Sequence, residues 1–116
     1  MGYTTQRFSF NNTGSQTAIT NLSGTPTGCR VTVCGNTGSN DASMSVGTCD
    51  GTRQNVQYMY GSGSNSTEIV HLKTEAGADQ SVASWSSFTS SGGIGRVIFN
   101  VTTLDSTLSH TLEVWN

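Results

Sequence analysis

Runs of β-forming residues in this 116-residue chain are short, and clusters of Gly, Ser, Asn and Thr interrupt them about every 10–14 residues. No run is long enough, or repeats at the right period, to make an amphipathic helix. The pattern predicts nine strands: Thr4–Phe10, Gln16–Leu22, Cys29–Cys34, Ala42–Cys49, Arg53–Tyr60, Thr67–Lys73, Val82–Phe88, Ile94–Val101 and His110–Trp115. Alternation puts Phe8 with Phe10, Cys29 with Val31 and Val33, Val56 with Tyr58 and Tyr60, and Leu112 with Val114 on shared faces. In the fourth run Met44 and Val46 read as the apolar face, which leaves Cys49 on the other. Asp50-Gly51 reads as a hairpin turn, because both residues tolerate positive φ. Ser90-Ser91-Gly92-Gly93 reads as another turn, and 35–41 as a polar loop. Leu104 and Leu108, four apart, fit one helical turn capping the core. The expected fold is all-β: an antiparallel two-sheet β-sandwich, jelly-roll-like, of about eight to nine short strands, with a closed barrel as the alternative.

Composition sets the scale of that sandwich and removes whole classes of function. Ser and Thr supply 35 residues and Gly and Asn 23, half of the chain, while apolar residues make up 33%. That is enough for one thin core, so residues 1–116 are expected to form a single domain. With five Lys and Arg in all and a net charge of −2, there is no basic surface to track phosphates, and nucleic acid is excluded as a partner. No apolar run approaches the roughly 18 residues of a membrane span. The start, Met1 to Gln6, lacks the basic and apolar stretches of a signal peptide, and Gln6 stands where N-myristoylation needs Ser or Thr. The expectation is therefore a protein made in a cytosol and not exported. The sequons at Asn11, Asn21, Asn65 and Asn100 are what chance yields in so Asn-, Ser- and Thr-rich a chain.

The residues that carry chemistry are few. The acids are Asp41, Asp50, Asp79, Asp105, Glu68, Glu75 and Glu113, and the histidines are His71 and His110. The four Asp fall in expected loops or turns, where Asp commonly bonds its own backbone. Gly61-Ser62-Gly63-Ser64 lacks the spacing of a nucleophile elbow, and Gly92-Gly93-Ile94-Gly95 lacks the Lys and the helix of a phosphate loop. The three cysteines are odd in number, and Cys34 and Cys49, expected on one outer face, are badly phased for pairing. Free thiols follow. No zinc spacing is present, and neither a metal nor a cofactor is expected. The chain is expected not to be an enzyme. Tyr58, Tyr60 and Trp115 form the candidate interaction surface, and with Trp85 they could make a sugar-stacking platform; the plainer reading is that these strand aromatics pack the core or a subunit contact.

The order of motifs resembles a known group. Phe8-Ser9-Phe10-Asn11-Asn12-Thr13-Gly14 is similar to the Phe-x-Gly-Asn-Gly opening of small β-sandwich virion proteins of tailed bacteriophages. Leu22, Pro26 and Arg30-Val31-Thr32-Val33 follow in the order of their next strand, proline and β-rich run. Ala42 to Gln54 resembles their strand–Asp-Gly–strand hairpin, and Phe88-Thr89-Ser90-Ser91-Gly92 their Phe-x-Ser-x-Gly turn. The ending Leu112-Glu113-Val114-Trp115-Asn116 departs from their Gly-rich one. Such proteins are capsid decorations, head fibres, or tail and receptor-binding modules, some with an H-type-lectin-like sandwich, and the pattern carries over no catalytic residue. The resemblance implies a structural protein of the virion, made in the host cytoplasm. Foremost is a capsid decoration protein that binds the major capsid protein or another virion protein as a homo-oligomer, with a trimer favoured. The alternative is a receptor- or carbohydrate-binding module that takes a host surface glycan.

Overall fold

A computed structural model describes residues 2–36 and 42–116. Asp41 and most of the polar loop expected at 35–41 lie outside the described residues. Among the described residues ten strands run in chain order: β1 (Tyr3–Phe8), β2 (Gly14–Ser23), β3 (Gly28–Asn36), β4 (Ala42–Cys49), β5 (Gln54–Tyr58), β6 (Ser64–Asn65), β7 (Val70–Lys73), β8 (Asp79–Ser91), β9 (Ile94–Thr103) and β10 (His110–Trp115). They form two antiparallel sheets, one ordered β1-β10-β3-β4-β5-β6 and the other β2-β9-β8-β7, packed as a sandwich. The strand beyond the expected nine is the two-residue β6, too short to leave a period-two signature.

The core follows the alternation. Val31 and Val33 on β3, Val97, Phe99 and Val101 on β9, and Leu112 and Val114 on β10 point between the sheets and are buried. Phe10 is buried just beyond β1, and Phe8 is only half-buried, packing edge-on against Phe10 at 5.2 Å and stacking on Phe99 at 5.5 Å. Leu104 and Leu108 do cap the core, but from a turn in which the Leu108 amide donates to the Asp105 carbonyl, not from a helical turn.

Strand β4 reverses the expected faces. Its inner residues are Ser43, Ser45, Gly47 and Cys49, while Met44 is exposed. The reason is space. A Cβ built on Gly47 would lie 1.7 Å from the Ile69 carbonyl oxygen, so the backbone entering β7 presses directly on this strand. Only small side chains fit beneath it, and the larger Met44 is turned to solvent. Cys49 therefore shares the inner face with Cys29, its direct cross-strand partner, and not the outer face with Cys34. All three thiols are free, with Cys34 exposed. Burial, and then the neighbouring Cys49, push the Cys29 thiol far up from its ordinary range.

Strand β8 breaks simple alternation as well. Its ladder to β9 shifts between Trp85 and Ser87, the mark of a bulge with Ser86 as the extra residue. Trp85 and Phe88, three apart, would otherwise face opposite ways. The bulge brings both onto the core, with their rings 5.1 Å apart.

Candidate functional site

One end of the sandwich carries the exposed aromatic rings of Tyr3 and Trp115. There the β4–β5 hairpin turns at Asp50–Arg53. Asp50 Oδ1 accepts from the backbone amides of Thr52 at 2.9 Å and Arg53 at 2.7 Å, and Gly51 takes a φ of 88°. Those amides hold the Asp50 carboxyl below its ordinary value. The Asp-Gly signal in the sequence thus corresponds to a rigid turn closed by its own side chain.

A groove lies on either side of this turn, and Asp50 and Thr52 line both. The first, of about 680 Å³ and open to solvent, runs between Trp115 and the side chains of Thr48, Arg53, Gln54, Asn55 and Ser66. The second, of about 430 Å³, is shallower and is floored by Trp85, Phe88 and Pro26. Both tryptophans of the chain therefore flank one hairpin turn. Gln54 fixes that relation: its amide nitrogen donates to the Trp85 carbonyl at 3.2 Å and its amide oxygen accepts from the Trp85 N–H at 2.8 Å. A single side chain so takes the part of a strand neighbour across the gap between the sheets.

Trp115 is held by the residue beside it. Gly28 is its cross-strand partner, and a Cβ there would meet the indole nitrogen at 2.3 Å. The ring lies across the bare glycine, which fixes its plane while leaving Trp115 37% exposed. Tyr3, on the other side of Trp115 in the ladder, is 57% exposed. Its hydroxyl donates to Glu113 at 2.7 Å, and Arg30 makes a fork to the same carboxylate at 2.6 and 2.8 Å. Arg30, and then the Tyr3 hydroxyl, hold Glu113 below its ordinary range. The outer face at this end thus offers two aromatic rings, an ordered ion pair and the polar wall of the first groove.

Of the three residues singled out from the sequence, the structure places Trp115 in a groove and sets the tyrosines elsewhere. Tyr58 shares its ladder row with Ser45, Val33, His110 and Phe8, at the opposite end of the sheet from Trp115. It is half-buried and stacks on His71 at 4.3 Å, with its hydroxyl 2.9 Å from Ser62 Oγ. Tyr60 is half-buried beside it with a φ of 70°. His71 is the hub of that end. Its Nδ1 lies 2.7 Å from Glu68 and its Nε2 3.0 Å from Asp79, which also pairs with Lys73 at 2.9 Å. Lys73, and then His71, hold Asp79 below its ordinary value. With a carboxylate within hydrogen-bond distance of each ring nitrogen, His71 ties β7 to Glu68 and to Asp79 at the start of β8.

Among the described residues, no group of three or more His, Cys, Asp and Glu side chains is placed to hold a metal ion. No protein-family model, curated protein or solved structure matches the chain. Trp85 was among the aromatic candidates in the sequence, whereas Phe88 and Gln54 were missed. Their role depends on a bulge and on a contact between sheets, and neither leaves a local pattern.

Proposed function

We propose that the chain is a non-enzymatic structural protein of a bacteriophage virion, a capsid decoration protein. It attaches to the major capsid protein or to another virion protein through the face around Trp115. The observation that carries this reading is the chemical make-up of that face: an exposed Trp held flat on Gly28, an exposed Tyr3, and Arg30 ordered by Glu113. Trp, Tyr and Arg are the residues that dominate protein–protein hot spots, and rings fixed in place lose little entropy on binding. The low formal charge fits an interface that tolerates salt. The resemblance to small phage sandwiches supplies the virion setting, with synthesis in the host cytoplasm.

A homo-oligomer, with a trimer favoured, belongs to the same reading. One standard patch covers about 800 Å² per partner, and linking several raises avidity by factors of about 10² to 10⁴. The ten-residue β2 is an edge of its sheet and carries the exposed Ile19, whereas the edges at β6 and β7 are short. A second copy would cover the longer edge.

Mixing the purified protein with undecorated shells tests the proposal. Saturable binding of many copies per shell is expected, and Trp115→Ala should weaken it about 30-fold or more, the scale of a hot-spot truncation. Tyr58→Ala, at the other end of the sheet, should leave binding unchanged. No binding to shells by the wild-type protein sinks the decoration role. The second reading is a receptor- or carbohydrate-binding module, and the first groove favours it: a Trp ring beside hydroxyl, amide and carboxylate groups suits a host glycan. Retention on a glycan array, lost with Trp115→Ala, would select it.

A further inference from the structure

Three sulfur-bearing side chains stand in one row on the outer face of the six-stranded sheet. Cys34 on β3 is the direct ladder partner of Met44 on β4. Beyond Met44, the Met59 amide donates to the Met44 carbonyl at 3.1 Å, which carries the β4–β5 register one residue past the Ser45–Tyr58 pair. Val33, Ser45 and Val56 point into the core, so Cys34, Met44 and Met59 point out. All three are exposed, Met44 at 44% and Met59 at 43%, and Cys34 is free. The other two cysteines are buried on the opposite face of the sheet.

Neighbouring side chains on one face of a ladder have Cβ atoms about 4.5–5.5 Å apart. Methionine has three rotatable bonds, so Met44 in the middle of the row and Met59 at one end can turn their thioethers toward one point above the row, which the thiol of Cys34 reaches from the other end. The adjacent outward row, Thr32, Val46 and Gln57, brings no carboxylate, imidazole or ammonium to compete. A thiolate with two thioethers is a soft, low-coordinate donor set of the kind that selects copper(I) over harder divalent ions. We propose that Cys34, Met44 and Met59 form a surface site for one copper(I) ion. On binding, the Cys34 proton passes to solvent, the thiolate and two thioether lone pairs bond to the metal, and copper stays in the +1 state. The step needs no oxidant or reductant.

The test is an anaerobic titration of the reduced full-length protein with copper(I) against a coloured chelator such as bicinchoninate. One ion per chain is expected, held against a large excess of zinc(II), and tighter as the pH rises because a proton is released. Cys34→Ser should abolish binding at the chelator concentrations used. Met44→Leu and Met59→Leu should each weaken it about tenfold or more, since even indirect partners of a metal commonly cost 10–100-fold. Both positions are exposed, so circular dichroism and melting of the variants should match the wild type. A Met44→Leu/Met59→Leu variant that binds as tightly as wild type would reduce the site to an isolated thiol and overturn the proposal. Wild-type affinity in Cys34→Ser would move the ion to the buried Cys29–Cys49 pair and overturn it equally.

Discussion

His110 should make the protein lose stability in mild acid, through a charge its site cannot accommodate. The residue is fully buried at the start of β10, with its ring 5.0 Å from that of Phe8 and 4.7 Å from that of Phe10. Neither ring nitrogen has a hydrogen-bond partner. Burial lowers its pKa from 6.5 to about 4; the Phe8 backbone, without reaching hydrogen-bond geometry, and the Asp105 carboxylate pull the other way and lose. Between these two values the unfolded chain holds a proton that the folded chain refuses. Stability therefore rises with pH across the window, is fully present above about pH 6.5, and falls as the pH drops toward 4. At 1.36 kcal/mol per pH unit, the span from 6.5 to about 4 amounts to about 3 kcal/mol. Urea unfolding of the wild type and of His110→Leu at pH 7 and pH 4 measures it. Asp79, Asp105 and Glu113, each held below its ordinary value, also lose their contributions in acid, but they do so in both proteins. The stability gap between the two proteins should move by about 3 kcal/mol in favour of the Leu variant on acidification. A change under about 1 kcal/mol would show that the imidazolium finds solvent or a partner, and the account of the core at this end would be wrong.

Three further outcomes follow from the packing. Phe99→Ala empties the centre of the aromatic cluster and should cost about 3–5 kcal/mol in chemical denaturation. Gly47→Ala sets a methyl against the Ile69 carbonyl, with backbone on both sides and no flexible atom to yield, so its loss should reach or exceed the roughly 1–3 kcal/mol of ordinary overpacking; near-neutral behaviour would refute the close approach of β7 to β4. Titration with a thiol reagent should find one reactive cysteine, Cys34, in the native protein and three after denaturation, whereas a native count of zero would contradict the outward placement of Cys34.

What the sequence disclosed depended on whether a strand faces ordinary neighbours. On β3 and β10, Cys29, Val31, Val33, Leu112 and Val114 alternate with polar residues because both strands lie inside a sheet with one face on the core, and their burial could be read directly. On β4 the same reasoning failed, since the size of the gap and not hydropathy selects the inner residues. The Ile69 backbone claims the space that Met44 and Val46 would have filled. The site was legible in part. Trp115 near the end of an edge-proximal strand and the Asp50-Gly51 turn are local signals, and both belong to the grooved end. Trp85 reaches it only through the bulge in β8 and the Gln54 clamp, which join residues 31 positions apart. Tyr58 closes the strand that Gln54 opens and Tyr60 lies just beyond it, at the far end, where His71 and not a groove receives the Tyr58 ring.

The bulge in β8 also fixes where the chain can change length. Trp85 pairs with Phe99 and Ser87 with Ile98, so Ser86 is opposite no residue of its own. Deleting it would leave each remaining pair of this ladder intact and both rings facing inward. Deleting Ser84, one position before Trp85, would instead shift the preceding half of the strand by one and turn Val82 and Ala83 over. Among related chains, a one-residue gap at Ser86 is therefore the length difference this strand can absorb, and a gap at Ser84 is one that the core would not survive.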